Sequence, residues 1–259
     1  MRPARRSKAF SGATASPSSP NSSARPAPPA RRPQPAAEAL DRLQAHLHSL
    51  TTLTESVVKI GDGSYRITHP SSADALIDEE DFDRNERLPY WAELWPSAIS
   101  LARHLHERDL AGTRAIELGC GVGLPTIAAL ARGARVLATD HYEAALDFAV
   151  HNARTNLGQE PETALLDWRA PDLPYPVAFD LVLGADVLYE RPNAVALADL
   201  VPRLLAPEGE AIFADPRRDD APAFVRMMEE KGFGTHTQDT TVDHDGREVR
   251  VLLHRLRRR

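Results

Sequence analysis

The chain has 259 residues, of which 42% are hydrophobic and 26% charged; this balance fits one globular domain with a sizeable core, and no stretch approaches the roughly 18 uninterrupted apolar residues of a membrane span. A single cysteine, Cys120, excludes an intramolecular disulfide and a cysteine-rich zinc site and fits a reducing, cytoplasmic setting, and no histidine pattern suggests a metal centre. The formal charge of −6 is unevenly spread: residues 1–35 hold seven basic residues and no acid, leaving 24 basic against 37 acidic residues, a net of −13, in a body that disfavours a nucleic-acid surface and favours a cationic partner.

Residues 1–35 are rich in Pro, Ser, Ala and Arg and nearly lack large apolar side chains, so a disordered basic tail is expected. The same composition suits an organellar transit segment, although its prolines disfavour the amphipathic helix such segments form. From Ala36 onward, Leu40, Leu43, Leu47 and Leu50 recur at helix-face spacing, and short strands are predicted around Val57–Ile60 and Tyr65–Thr68. Residues 36–87 therefore read as an N-terminal accessory layer, with acidic Asp78–Glu86 as a solvated loop.

From residue 88 the chain alternates strand and helix. Strands are predicted at Arg114–Leu118, Arg135–Asp140, Thr163–Trp168, Phe179–Ala185 and Glu210–Ala214. Such alternation demands crossover connections, hence an α/β, Rossmann-like, mostly parallel sheet covered on both faces. A helix over Glu143–Asn156 shows an inner face at Leu146, Ala149, Val150 and Ala153; Pro202 is expected to kink or restart the helix over Asn193–Leu205. Thr235–Val242 and Glu248–Leu256, joined through Asp245-Gly246, read as an antiparallel hairpin.

The first of these strands runs through Glu117 into Gly119-Cys120-Gly121-Val122-Gly123, and Leu124-Pro125-Thr126 then opens a helix. Glycines at such a turn permit bends and close ligand approach that a Cβ would obstruct. The dinucleotide fingerprint wants its third glycine at position 124, where Leu stands. Asp140 ends the second strand, where a carboxylate can accept hydrogen bonds from both hydroxyls of a ribose or cap the next helix. Glu117 is placed to meet a ligand's amino group. Asp167 and Trp168 close the third strand, where Trp168 either covers a bound ring or packs on the sheet.

With these residues in view, the chain resembles methyltransferase family 16, and within it the electron-transfer-flavoprotein β-subunit lysine methyltransferases and their bacterial relatives. The likeness rests on Pro89-Tyr90-Trp91-Ala92 with Trp95-Pro96, the glycine loop at 117–123, Asp186-Val187-Leu188-Tyr189 and Asp215-Pro216-x-Arg218, and runs from about Leu88 to the C-terminus. It implies a seven-strand class I methyltransferase sheet over 88–259 that uses S-adenosyl-L-methionine. Cofactor-binding residues would be Trp91, Trp95, Glu117, Gly119, Gly121, Gly123, Asp140, Asp167, Trp168 and Ala185; Asp186 and Tyr189 would form the methyl-acceptor site. Asp186 then orients an ammonium and Tyr189 offers it a ring or hydroxyl, unless the two merely cap a turn and pack in the core. Arg217 and Arg218 either border the acceptor pocket or are solvated. The resemblance points to a monomeric enzyme methylating a protein lysine, the alternatives being a small-molecule amine or a non-catalytic binding protein on the same fold.

Overall fold

The computed structural model describes residues 35–76, 89–172 and 179–259. Nearly all of the basic tail and the whole of Asp78–Glu86 lie outside these. Strands β3 (Arg114–Leu118), β4 (Arg135–Asp140) and β6 (Phe179–Ala185) have the bounds read from sequence. They are short apolar runs buried on both faces, as central parallel strands require.

Two strands of the parallel part differ from expectation, and the two C-terminal strands run longer than expected at both ends. β5 (Glu162–Leu165) is shorter, because it pairs only with β4 and its last partner lies opposite Asp140, where β4 ends. Asp167 and Trp168 therefore lie beyond the strand rather than closing it. β7 (Leu205–Asp215) is longer than Glu210–Ala214: the backbone stays extended through Pro207 and Gly209 and absorbs a register shift against β6 between Phe179 and Leu181. The helix before it, Arg191–Leu204, runs through Pro202 without restarting. The missing N–H falls in the last turn, where little helix remains to break.

The sheet order is β5-β4-β3-β6-β7-β9-β8, with β8 (Phe233–His244) and β9 (Arg247–Arg258) forming an antiparallel pair at the far edge. Asp245 (φ 53°) and Gly246 (φ 74°) supply the left-handed pair that a tight hairpin turn needs. Alternate strand residues feed two cores. Ala115, Leu181 and Ile212 join helices α2 (Pro96–His106), α3 (Leu124–Ala131) and α4 (Glu143–Leu157). Ile116, Val182 and Phe213 join α5 (Arg191–Leu204) and α6 (Ala221–Glu230). Chain order reverses between β3 and β6, and a crevice at the carboxyl ends of these strands is where open α/β sheets bind ligands.

Residues Pro35–Arg259 form one compact unit. Helix α1 (Pro35–Leu50) and a two-stranded sheet, β1 (Leu53–Ile60) with β2 (Gly63–Pro70), place Leu47, Val58, Ile60 and Ile67 in the same core as Ile99 and Leu105. Two asparagines of α4 pair with the β2 backbone. Asn156 Oδ1 accepts from Arg66 N–H at 2.8 Å and its Nδ2 donates to Arg66 O at 2.7 Å. Asn152 does the same with Thr68, at 2.8 Å both ways, and its Nδ2 also donates to Val122 O at 2.9 Å. Among the described residues no helix is long and apolar enough to cross a membrane.

Candidate active site

A cleft with about 1040 Å³ of empty space, including its open mouth, lies over the carboxyl ends of β3, β4 and β6. Its floor is the loop after β3. Gly119 (φ 73°) and Gly121 (φ 50°) adopt left-handed backbone. A Cβ on Gly119 would stand 3.0 Å from Trp168 and Val187, and one on Gly121 would stand 3.1 Å from the Trp91 carbonyl oxygen. Side chains here would strain the turn and crowd the walls of the cleft.

The loop is tied to β4 by its backbone. The N–H groups of Gly119 and Cys120 both donate to Thr139 O at 2.9 Å. Asp140 Oδ2 accepts from Gly121 N–H at 3.0 Å and Oδ1 from Tyr142 N–H at 3.1 Å. Burial raises the Asp140 carboxyl above its ordinary range, while these N–H groups pull it down.

Glu117 is fully buried. Its Oε2 accepts the Thr126 hydroxyl at 2.5 Å, and its Oε1 has no hydrogen-bond partner. Burial pushes its carboxyl up to about 8, so it holds a proton at neutral pH until a cation reaches it. Trp168 Nε1 is likewise a buried donor without a partner. Its ring both lines the cleft and packs on the α5–α6 core.

At the other side of the cleft stands Asp186, buried and in left-handed backbone at φ 56°. That conformation is uncommon outside glycine, but a short polar Asp tolerates it better than a branched or bulky residue. Asp186 N–H donates to Ala214 O at 2.9 Å, which fixes the strand end to β7. Oδ1 accepts from Arg218 Nε at 2.8 Å, and Oδ2 has no partner. Asp215 ends β7 beside it. Its Oδ1 accepts from Arg218 N–H at 2.8 Å, and burial followed by the Asp186 charge raises its carboxyl to about 6.

An aromatic group frames this side. Tyr90 meets Tyr189 edge-on at 5.3 Å and Trp95 at 6.3 Å, and Trp95 Nε1 donates to Tyr90 O at 2.7 Å. Burial, with the charge of Glu190, pushes Tyr189 up to about 12, so its hydroxyl keeps its proton.

Of the residues singled out from sequence, Trp91, Trp95, Glu117, Gly119, Gly121, Asp140, Asp167, Trp168, Ala185, Asp186 and Tyr189 all line this cleft. Gly123 does not. At φ 84° it begins α3, where a Cβ would fall 2.8 Å from Ala149, so it packs α3 against α4. Tyr90, Tyr142 and Asn193 also line the cleft. Tyr90 sits inside the Pro-Tyr-Trp segment and Tyr142 two places after Asp140, signals that sequence reading passed over.

These groups fit S-adenosylmethionine. The unpartnered Glu117 Oε1 is a buried acceptor suited to an ammonium, and Asp140 keeps lone pairs beyond its two backbone bonds for a ribose diol. Trp168 offers a ring face.

The sequence model of a family described as lysine methyltransferase matches residues 86–231. EEF1A lysine methyltransferase 3 of Mus musculus is 31% identical over 179 residues, which cover 67% of this chain and 75% of that protein. Protein N-lysine methyltransferase METTL21A of Danio rerio is 37% identical over 126 residues, covering 46% and 57%. Among solved structures, the N-methyltransferase NodS of Bradyrhizobium japonicum, in complex with S-adenosyl-L-homocysteine, superposes with a TM-score of 0.53 at 20% identity, over 69% of this chain and 97% of that one. That likeness is one of fold.

Proposed function

The chain belongs to the lysine methyltransferase family, and we propose that its methyl acceptor is a lysine side chain of a protein. It is an S-adenosylmethionine-dependent methyltransferase. When bound, the cofactor supplies a sulfonium methyl that an amine lone pair takes in line, the N–C bond forming as the S–C bond breaks.

In this reading Glu117 holds the cofactor's amino group and Asp140 its ribose hydroxyls, while Asp167 and Trp168 take the adenine. Trp91, Trp95, Ala185, Gly119 and Gly121 shape the walls. The acceptor nitrogen must first lose a proton, from a reference pKa of about 10.4. Asp186 attracts the ammonium, orients it and receives or passes on that proton. Tyr189 keeps its own proton and so acts through its hydroxyl and ring, not as a base.

The observation that carries the reading is Asp186: a buried carboxylate in left-handed backbone in the lining of the cleft, with one oxygen unpartnered. The acidic body suits a cationic partner, and the enzyme is read as a monomer.

The test is incubation of the full chain with methyl-labelled cofactor and source-cell extract, followed by acid hydrolysis of the protein fraction. Label in methyl-lysine is expected. Label confined to small molecules would move the assignment to an amine metabolite.

A further inference from the structure

The acceptor carboxylate is half occupied. Arg218 takes Asp186 Oδ1 through Nε at 2.8 Å and leaves Oδ2 as the one oxygen without a partner. The contact is built by the turn after β7. Arg217 sits in left-handed backbone at φ 71°, and Arg218 N–H closes onto Asp215 Oδ1. That turn swings the Arg218 guanidinium back across to the end of β6, with its Cζ 5.8 Å from the Trp95 ring centroid. Trp95 in turn meets Tyr90 edge-on at 6.3 Å.

A carboxylate with two free oxygens receives a guanidinium as a fork, through two parallel N–H bonds. A carboxylate with one free oxygen offers a single acceptor point, which suits the compact ammonium or amine of a lysine. The geometry points to Arg218 as a specificity-determining, positioning residue: it acts through Asp186, reserving one oxygen so that the site takes a one-pronged amine and turns away a two-pronged guanidinium. The inference rests on the reading of Asp186 as the acceptor group.

The experiment compares wild-type full chain with Arg218→Met and Arg218→Lys, using labelled S-adenosylmethionine and source-cell extract, with methyl-lysine and methyl-arginine separated after hydrolysis. Calorimetry with S-adenosylhomocysteine checks the cofactor side. Wild type should label lysine. Arg218→Met, which keeps bulk but has no donor, should lose at least tenfold in lysine transfer while its affinity for S-adenosylhomocysteine stays within about twofold. Its ratio of methyl-arginine to methyl-lysine should rise at least tenfold, because both Asp186 oxygens are then free. Arg218→Lys, which can still donate to Oδ1, should lie between the two in rate and keep the wild-type ratio. Should the methionine variant fail to fold, Arg218→Leu takes its place.

An unchanged ratio in a folded Arg218→Met or Arg218→Leu protein overturns the selectivity role, whatever the rate. Wild-type label in methyl-arginine overturns it together with the lysine assignment. Label in a small amine sinks only the protein-lysine reading; the tenfold loss in Arg218→Met is then read on that amine, and its absence overturns the positioning role.

Discussion

At the ends of β3 and β4 the buried carboxylates are held by the chain's own framework: Asp140 by the N–H groups of Gly121 and Tyr142, Glu117 by the hydroxyl of fully buried Thr126. At the ends of β6 and β7, Asp186 leans on a guanidinium whose side chain is 39% exposed, and Asp215 beside it has one buried oxygen with no partner. Backbone donors cannot swing away, whereas a long side chain can. One side of the cleft is thus suited to a ligand that is the same in every turnover, and the other to one that must enter, react and leave.

The sharpest way to break this contrast is at Asp186. Asp186→Asn keeps the shape and removes the charge, so transfer should fall about 30-fold to 1000-fold, the ~2–4 kcal/mol of one charge-assisted contact strengthened in the transition state. Cofactor affinity should stay unchanged. Single-turnover transfer beside calorimetry separates the two quantities, and near-normal turnover in a folded protein would return Asp186 to a turn-capping role.

Asp140→Asn should behave in the opposite sense. An amide NH2 would face the N–H of Gly121 or Tyr142, donor against donor, and the loop would tilt. Cofactor affinity should drop about tenfold to a hundredfold, as for the loss of a hydrogen bond to a charged group, with turnover rescued by excess cofactor. A variant that saturates normally yet turns over slowly would contradict the division of labour.

The smallest effect sharpens the comparison through pH. Glu117, pushed up to about 8 by burial, carries a proton in the free protein below that pH, and pairing with a cationic amino group requires the ionised form. Cofactor binding should therefore release a proton below pH 8, and the dissociation constant should weaken by about fivefold from pH 8 to pH 7. Asp215, at about 6, is spent before this window opens. Titrations in buffers of different ionisation enthalpy count the proton directly; Glu117→Gln should bind more weakly and lose this pH dependence. The stability of the free protein moves the opposite way: a carboxyl whose folded pKa is raised costs stability as pH climbs from about 4.5 to 8.

The central sheet was legible because β3, β4 and β6 are continuous apolar runs bounded by turn residues. Where edges and irregularities enter, sequence misleads: nothing local says that β5 stops when its neighbour stops, or that Pro207 and Gly209 stay extended. The site divides in the same way. Glu117, Gly119, Gly121 and Asp140 lie within a short span whose spacing carries the signal. The pairing of Arg218 with Asp186 spans 32 positions and depends on parallel β6 and β7 ending side by side and on the left-handed turn at Arg217. From sequence Arg218 is either solvated or bordering the pocket; only the fold brings its Nε to Asp186. Gly123 stands against Ala149 rather than in the cleft lining, a placement the sequence does not give because a glycine in a ligand loop and one that lets two helices touch look alike in a string of letters.

Asn152 has a consequence for how this protein can be cut and recombined. A primary amide carries the same acceptor and donor as a peptide unit, and Asn152 spends them on Thr68 in the N-terminal hairpin and on Val122 in the glycine loop. The hairpin is thus riveted to the loop that floors the cleft. Grafting residues 88–259 alone onto another scaffold would leave one face of that rivet open to solvent, and a hairpin borrowed from a relative would have to bring a β2 edge in the same register to close it.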